Sequence, residues 1–158
     1  MSARALVREL IGPAVTCAPD APVAEIARLL LEHDLEGVVV LNEDGHAIGV
    51  VGQDELVMAY GRPNRAALTV EDVMNETIPR VRPDIPLAAA AQIMRDLGVR
   101  MLFLMPQRGG ITYPAAMLSY RQLLRHLAAR SDDELTDLGI NVVRQPSPRP
   151  PAPPRAGS

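Results

Sequence analysis

Lysine and tryptophan are missing from this chain of 158 residues, cysteine occurs once, and only Tyr60, Phe103, Tyr113 and Tyr120 are aromatic. The lone Cys17 excludes an intrachain disulfide framework and any thiolate-clustered metal site. The longest apolar run, around Gly37 to Leu41, is far too short to span a bilayer. No signal peptide is visible, because Ala5-Leu6-Val7 is not a sufficient apolar region before Glu9. The expectation is a soluble, reduced, cytoplasmic protein. All sixteen basic residues are arginine and the formal net charge is −3. Arg144, Arg149 and Arg155 lie past Asn141 with no acid among them, so the rest of the chain is more acidic still. That balance discourages non-specific binding to nucleic acid.

What the chain has in quantity is aliphatic side chains and proline. Apolar residues make up 47% of it, so Ala, Val, Leu, Ile and Met must fill the core. Its length suffices for one core, or for two small halves sharing one. The fifteen prolines are unevenly placed, with six of them between Pro146 and Pro154.

The sequence repeats itself. Val7-Arg-Glu-Leu-Ile11 matches Val70-Glu-Asp-Val-Met74, and Pro19-Asp-Ala-Pro-Val23 matches Pro83-Asp-Ile-Pro-Leu87. A helical pattern follows each proline pair, with Val23, Ile26, Ala27 and Leu30 on one face and Leu87, Ala90, Ala91 and Met94 on the other copy's. Pro22 and Pro86 suit the first helical turn, where no N–H is needed. Breaks at His33–Gly37 and Asp96–Arg100 lead into apolar strands. In copy one, Val38–Leu41 and Ala47–Val51 form a plausible hairpin around Asn42-Glu-Asp-Gly45. Copy two has Met101–Met105, then Ile111–Tyr113 and Ala115–Leu118, a return segment about three residues longer. Helices near Gln53–Tyr60 and Tyr120–Ala129 close the copies, and Gly61–Asn64 is a linker. Each copy reads strand, helix, strand, strand, helix. The fold class is α/β (α+β), with two βαββα-type repeats packed pseudo-symmetrically. The boundaries are 5–62 for repeat one and 68–130 for repeat two, then a short extension over 131–143 and a disordered Pro/Arg-rich tail over 144–158.

Several matches point to one family. They are Val70-Glu-Asp-Val-Met74, the Pro-Asp before each first helix, Gly37-Val-Val-Val-Leu-Asn-Glu-Asp-Gly45, Gly49-Val-Val-Gly-Gln-Asp-Glu55 and Met117-Leu-Ser-Tyr-Arg-Gln122. In order and duplication, each copy resembles a CBS domain, and the pair resembles the tandem CBS (Bateman) module from about Ala5 to Ala129. The resemblance implies a regulatory module, not an enzyme, with the two copies packed through their sheets. It implies a homodimer and an adenosine-type ligand such as AMP, ADP, ATP, S-adenosylmethionine or NAD.

The resemblance also implies where such a ligand sits. The family places a Thr or Ser, with an Asp three positions later, where the last strand enters the final helix. These engage a phosphate and the ribose hydroxyls. In copy one the two positions are Gly52, which offers only a backbone N–H, and Glu55; in copy two they are Ser119 and Gln122. An adenine slot would lie at Val15-Thr16 with Gly37-Val38, and at Arg80-Val81 with Met101-Leu102. The candidate ligand-binding residues are therefore Thr16, Val38, Gly52, Glu55, Val81, Met101, Ser119 and Gln122. Read as residues alone, Ser119 is equally an ordinary helix N-cap, Gln122 a solvent-facing helix residue, and Glu55 a first-turn acid favoured by the helix dipole. Arg62, Arg65, Arg80 and Arg82 form a sparse positive patch that would suit polyphosphate.

Catalytic and metal-binding residues are not expected. His33, His46 and His126 lie in unrelated contexts without metal-site spacing. Cys17 reads as a small buried residue, and Asp132-Asp-Glu134 as a solvated helix start. The apolar faces holding Leu29, Leu56, Met94, Leu123 and Leu124 exceed what small copies need internally, and some of these residues are expected at a dimer contact. The alternative function is a ligand-free homodimeric interaction module with vestigial pockets, whose partner the sequence leaves unknown.

Overall fold

The computed structural model describes residues 5–129. In copy one, β1 (Gly12–Pro13) and β2 (Thr16–Cys17) precede α1 (Val23–His33), β3 (Gly37–Leu41), β4 (Ala47–Gly52) and α2 (Gln53–Val57). In copy two, α3 (Val70–Val73) precedes α4 (Leu87–Leu97), β5 (Met101–Leu104), the small hairpin β6 (Gln107–Arg108) and β7 (Ile111–Thr112), then β8 (Ala116–Ser119) and α5 (Tyr120–Ala128). The expected extension and tail lie outside the described residues.

The equivalent helices α1 and α4 bury the same three-residue stripe, Val23, Ile26 and Leu30 in one and Leu87, Ala90 and Met94 in the other. Pro22 and Pro86 take extended N-cap positions, one residue before the helical turn predicted for them. Each helix ends in a left-handed residue, Asp34 or Gly98, and Leu35 and Val99 donate back to the carbonyls of Leu30 and Met94. Met94 is fully buried in copy two's core, so of the five apolar residues considered for a dimer contact it is not one that can form it. Its spacing from Leu87 and Ala90 puts it on the inward stripe.

Strand alternation sorts the apolar residues into layers. Val38, Val40 and Val51 face α1, and Leu102 and Leu118 face α4. Val39 and Val50 point the opposite way and meet Met101, Phe103 and Met117, so the two sheets pack face to face. The expected β3–β4 hairpin forms, with Val38 opposite Val51 and a register shift between Val40 and Leu41, and the Asn42 side chain accepts from the N–H groups of Asp44 and His46 in its turn. The β6–β7 hairpin, turned at Gly109-Gly110, is the copy-two insertion. The final helix of copy one is shorter than predicted: α2 stops at Val57 and a 3-10 turn carries on over Met58–Gly61.

The lead-in segments cross over. Val7 and Leu10, ahead of copy one, are buried in copy two's core, whereas Val70 from copy two is buried in copy one's. The exchange is reciprocal to the level of single bonds. Val7 donates to the carbonyl of Ile85 at 2.9 Å, and its equivalent Val70 donates to Ala21 at 2.9 Å. Gly12 pairs with Met117 across the same kind of junction that joins Asn75 to Val50. Each copy thus completes the other's core, which binds the two halves into one unit.

Candidate functional site

The segment leaving α3 passes over copy one and walls a cleft of about 150 Å³ between the copies. Copy one contributes Glu36 and the run Gly52–Glu55, where β4 turns into α2. Copy two contributes Asn75, Thr77 and Pro79 from the lead-in, and Leu97–Met101 from the turn between α4 and β5.

Three of the predicted residues meet here: Gly52, Glu55 and Met101. Glu55 Oε1 accepts from the Gly52 N–H at 2.7 Å, so that donor is already satisfied and is not available to a phosphate. Among the described residues this is the one hydrogen bond of the Glu55 side chain, which leaves its carboxylate with acceptor capacity. Gly52 is a matter of space. A Cβ there would stand 2.8 Å from Met101 Cε and 3.0 Å from the Glu36 carbonyl oxygen, so the thioether of Met101 lies where a Ser or Thr side chain would begin.

Glu36 escaped the sequence reading. It is buried to about nine-tenths, lines the cleft and has no side-chain hydrogen bond among the described residues. Burial raises its pKa above the ordinary carboxylate value; Arg100 and Arg121 pull it down, and Asp34 and Asp54 push it up. Its equivalent in copy two is Arg100, also in the cleft. A charged residue immediately before a wholly apolar strand was the available signal.

Ser119 and Gln122 occupy the equivalent place in copy two, and bond to one another and to the lead-in. Ser119 N–H donates to Gln122 Oε1 at 2.7 Å, and Gln122 N–H reaches Ser119 Oγ at 3.4 Å. Gln122 Nε2 donates to the Leu10 carbonyl at 2.8 Å. Gln122 is therefore half-buried and ties α5 to the crossed lead-in, contrary to the solvent-facing alternative. An amide suits this place because it accepts at one end and donates at the other. Beside it, Arg121 and Arg125 both pair with Asp34, at 2.8 and 3.0 Å, and tie the start of α5 to the turn after α1.

The remaining predicted residues lie apart from the cleft. Val38 is fully buried under α1, and Val81 is buried with Val7 and Leu10, so neither side chain faces an open slot. Thr16 is exposed and lines an open groove against α1 with Cys17 and Glu25. Burial and then Glu25 push the Cys17 thiol up to about 11, which keeps it protonated at neutral pH and poorly nucleophilic. The arginine patch is dispersed: Arg82 pairs with Asp84 at 2.9 Å, and Arg65 stacks over the Tyr60 ring at 4.8 Å. Among the described residues no cluster of three metal-ligating side chains occurs, and no helix is long and apolar enough to cross a membrane.

Two βαββα copies with exchanged lead-ins, packed sheet to sheet around an inter-copy cleft, define a tandem-repeat module. The CBS domain family matches residues 7–62 and 70–129, and the chain belongs to that family. An uncharacterized protein of Methanopyrus kandleri is 27% identical over 124 residues, 77% of this chain and 63% of that protein. A second uncharacterized protein, of Acidianus ambivalens, is 27% identical over 69% of this chain and 64% of its own length. The matched region thus spans somewhat under two thirds of these curated relatives. Among solved structures, a CBS domain pair in complex with 5′-methylthioadenosine and S-adenosyl-L-methionine superposes with a TM-score of 0.69 at 17% identity, covering 81% of this chain and 99% of that one. A CBS domain protein of Pyrobaculum aerophilum complexed with AMP gives 0.62 at 21% identity, covering 85% and 98%.

Proposed function

We propose that the chain is a regulatory module that takes up an adenosine-containing small molecule in the cleft between its copies and signals to a protein partner. The observation that carries this reading is the pair of carboxylates at the cleft: Glu36, nine-tenths buried without a hydrogen-bond partner among the described residues, and Glu55, with acceptor capacity left over. A carboxylate that accepts from both ribose hydroxyls is the chemistry such a position offers. The AMP complex and the methylthioadenosine and S-adenosylmethionine complex of similarly folded proteins support the ligand class.

The cleft is narrower than the roughly 300–1,000 Å³ of ordinary small-molecule pockets. Its walls come from both copies, so a ligand enters only as Leu97–Met101 moves away from Gly52–Glu55. That displacement is the signal: the ligand favours the wider packing of the copies and shifts the population toward it. In this reading the chain is not an enzyme, needs no cofactor, and works in the cytoplasm with its one thiol reduced.

A second reading, the ligand-free homodimer, rests on a separate observation. Val57 and Tyr60 stand exposed at the end of copy one, and Leu124 and Leu127 stand exposed at the equivalent positions of α5. These residues, rather than the partly buried Leu29, Leu56 and Leu123 or the buried Met94, are the dimer contact we propose, with or without ligand. Thermal denaturation with millimolar AMP, ATP, NAD and S-adenosylmethionine separates the readings. A compound present at a hundred times its Kd adds about 2.7 kcal/mol of stability. No shift with any of them rejects the sensor and leaves the homodimer.

A further inference from the structure

We infer, resting on the proposed adenosine site, that the cleft selects an adenosine compound whose 5′ substituent is cationic or neutral and rejects 5′-phosphates. Three of its lining side chains, Glu36, Asp54 and Glu55, are acids, and Arg100 is the one basic residue among them. Glu36 lines the cleft and has no side-chain hydrogen bond among the described residues, so its carboxyl is left to accept from a ligand, with Arg100 and Arg121 within its field.

Donors that would hold a phosphate are few, and two are already engaged. The Gly52 N–H is occupied by Glu55 Oε1 at 2.7 Å, and the Thr77 N–H by Asn75 Oδ1 at 2.9 Å. No hydroxyl stands at position 52, and none fits while Met101 Cε and the Glu36 carbonyl approach it. Arg100 lies within the field of Glu36, which offsets its charge. A phosphate dianion entering here would face three carboxylates with one guanidinium in its favour. A sulfonium and ammonium group of net positive charge would face the reverse balance.

The test is calorimetric titration of the full chain at low ionic strength with S-adenosylmethionine, methylthioadenosine, AMP and ATP. Affinity is expected to fall in that order, with at least tenfold between S-adenosylmethionine and AMP. Glu36→Gln and Glu55→Gln are expected to level the series several-fold, by weakening S-adenosylmethionine and strengthening AMP. Gln at position 55 retains the acceptor for the Gly52 N–H, as Gln122 does for Ser119, so the fold is kept; far-UV circular dichroism checks both variants. AMP or ATP binding as tightly as methylthioadenosine overturns the charge selection while leaving the adenosine site standing. Binding of none of the four overturns both.

Discussion

Asp34 and Gly98 end equivalent helices in the same left-handed conformation, with φ of 54° and 68°. Asp34 carries a carboxylate, and Arg121 and Arg125 both pair with it. Gly98 carries nothing, and the equivalent start of α2 presents Asp54 and Glu55 to an open cleft. A second difference reinforces the first. Gln122 spends its amide on Leu10, whereas Glu55 has no N–H to spend. One duplicated architecture thus yields a copy-two junction whose polar side chains are paired within the protein and a copy-one junction that retains unused polar capacity. A few side chains at equivalent positions make that difference.

Exchanging those side chains breaks the comparison, and the largest effect is expected from Gln122→Glu. It sets a carboxylate against the Leu10 carbonyl and removes a half-buried hydrogen bond, a loss of about 1–3 kcal/mol in denaturant unfolding at pH 7. Acidification that protonates the new carboxyl restores part of it. The reciprocal Glu55→Gln keeps its acceptor and changes stability by less than about 0.5 kcal/mol.

Gly52→Ser gives copy one the residue of copy two. The added Cβ crowds Met101 and the Glu36 carbonyl, for a cost of about 1–2 kcal/mol. Ser119→Gly costs only a few tenths of a kcal/mol, as Gly is a tolerable N-cap. Equal costs in the two directions would show that Met101 yields freely.

Asp34→Ala removes two half-exposed ion pairs and places an alanine in the left-handed region, at a cost of about 1 kcal/mol. Asp34→Gly loses the same pairs without the backbone penalty and stays within about 0.5 kcal/mol of the parent. Thermal melts of the two variants read the difference.

The smallest expected effect is that of Glu36→Gln on stability. The native chain holds the Glu36 proton to higher pH than the unfolded chain does. Stability therefore falls as pH rises from the unfolded carboxylate value, about 4.3, through the raised native one. Removing the charge takes away this part of the pH slope and stabilises the protein slightly at pH 7, while ligand affinity drops. Gain of stability with loss of binding marks a residue kept for function.

Much of this was legible in the sequence. The doubled Pro-Asp signals, the three-four spacing of Val23, Ile26 and Leu30, and the short apolar run Val38–Leu41 specify helices, strands and repeat. The exchange of lead-ins was not legible, because apolar residues such as Val7 and Val70 announce a buried face without naming the core that receives it. Glu36 looked like a loop charge, since only the packing of one copy against the other encloses it. Gly52 looked like a missing hydroxyl; the approach of Met101, far away in sequence, is what excludes one. Gln122 looked like a lost carboxylate, and its bond to Leu10 spans the whole length of the fold.

The central claim is one adenosine site per chain, in the cleft that Glu36 and Glu55 line. Calorimetric stoichiometry with S-adenosylmethionine tests it most directly, on the parent chain, Glu55→Gln and Asp34→Gly. The account predicts one equivalent per chain in the parent, much weaker binding in Glu55→Gln, and still a single equivalent in Asp34→Gly, where freeing Arg121 and Arg125 adds positive charge that disfavours a cation. Two equivalents in the parent, or one that is indifferent to Glu55→Gln, would contradict it.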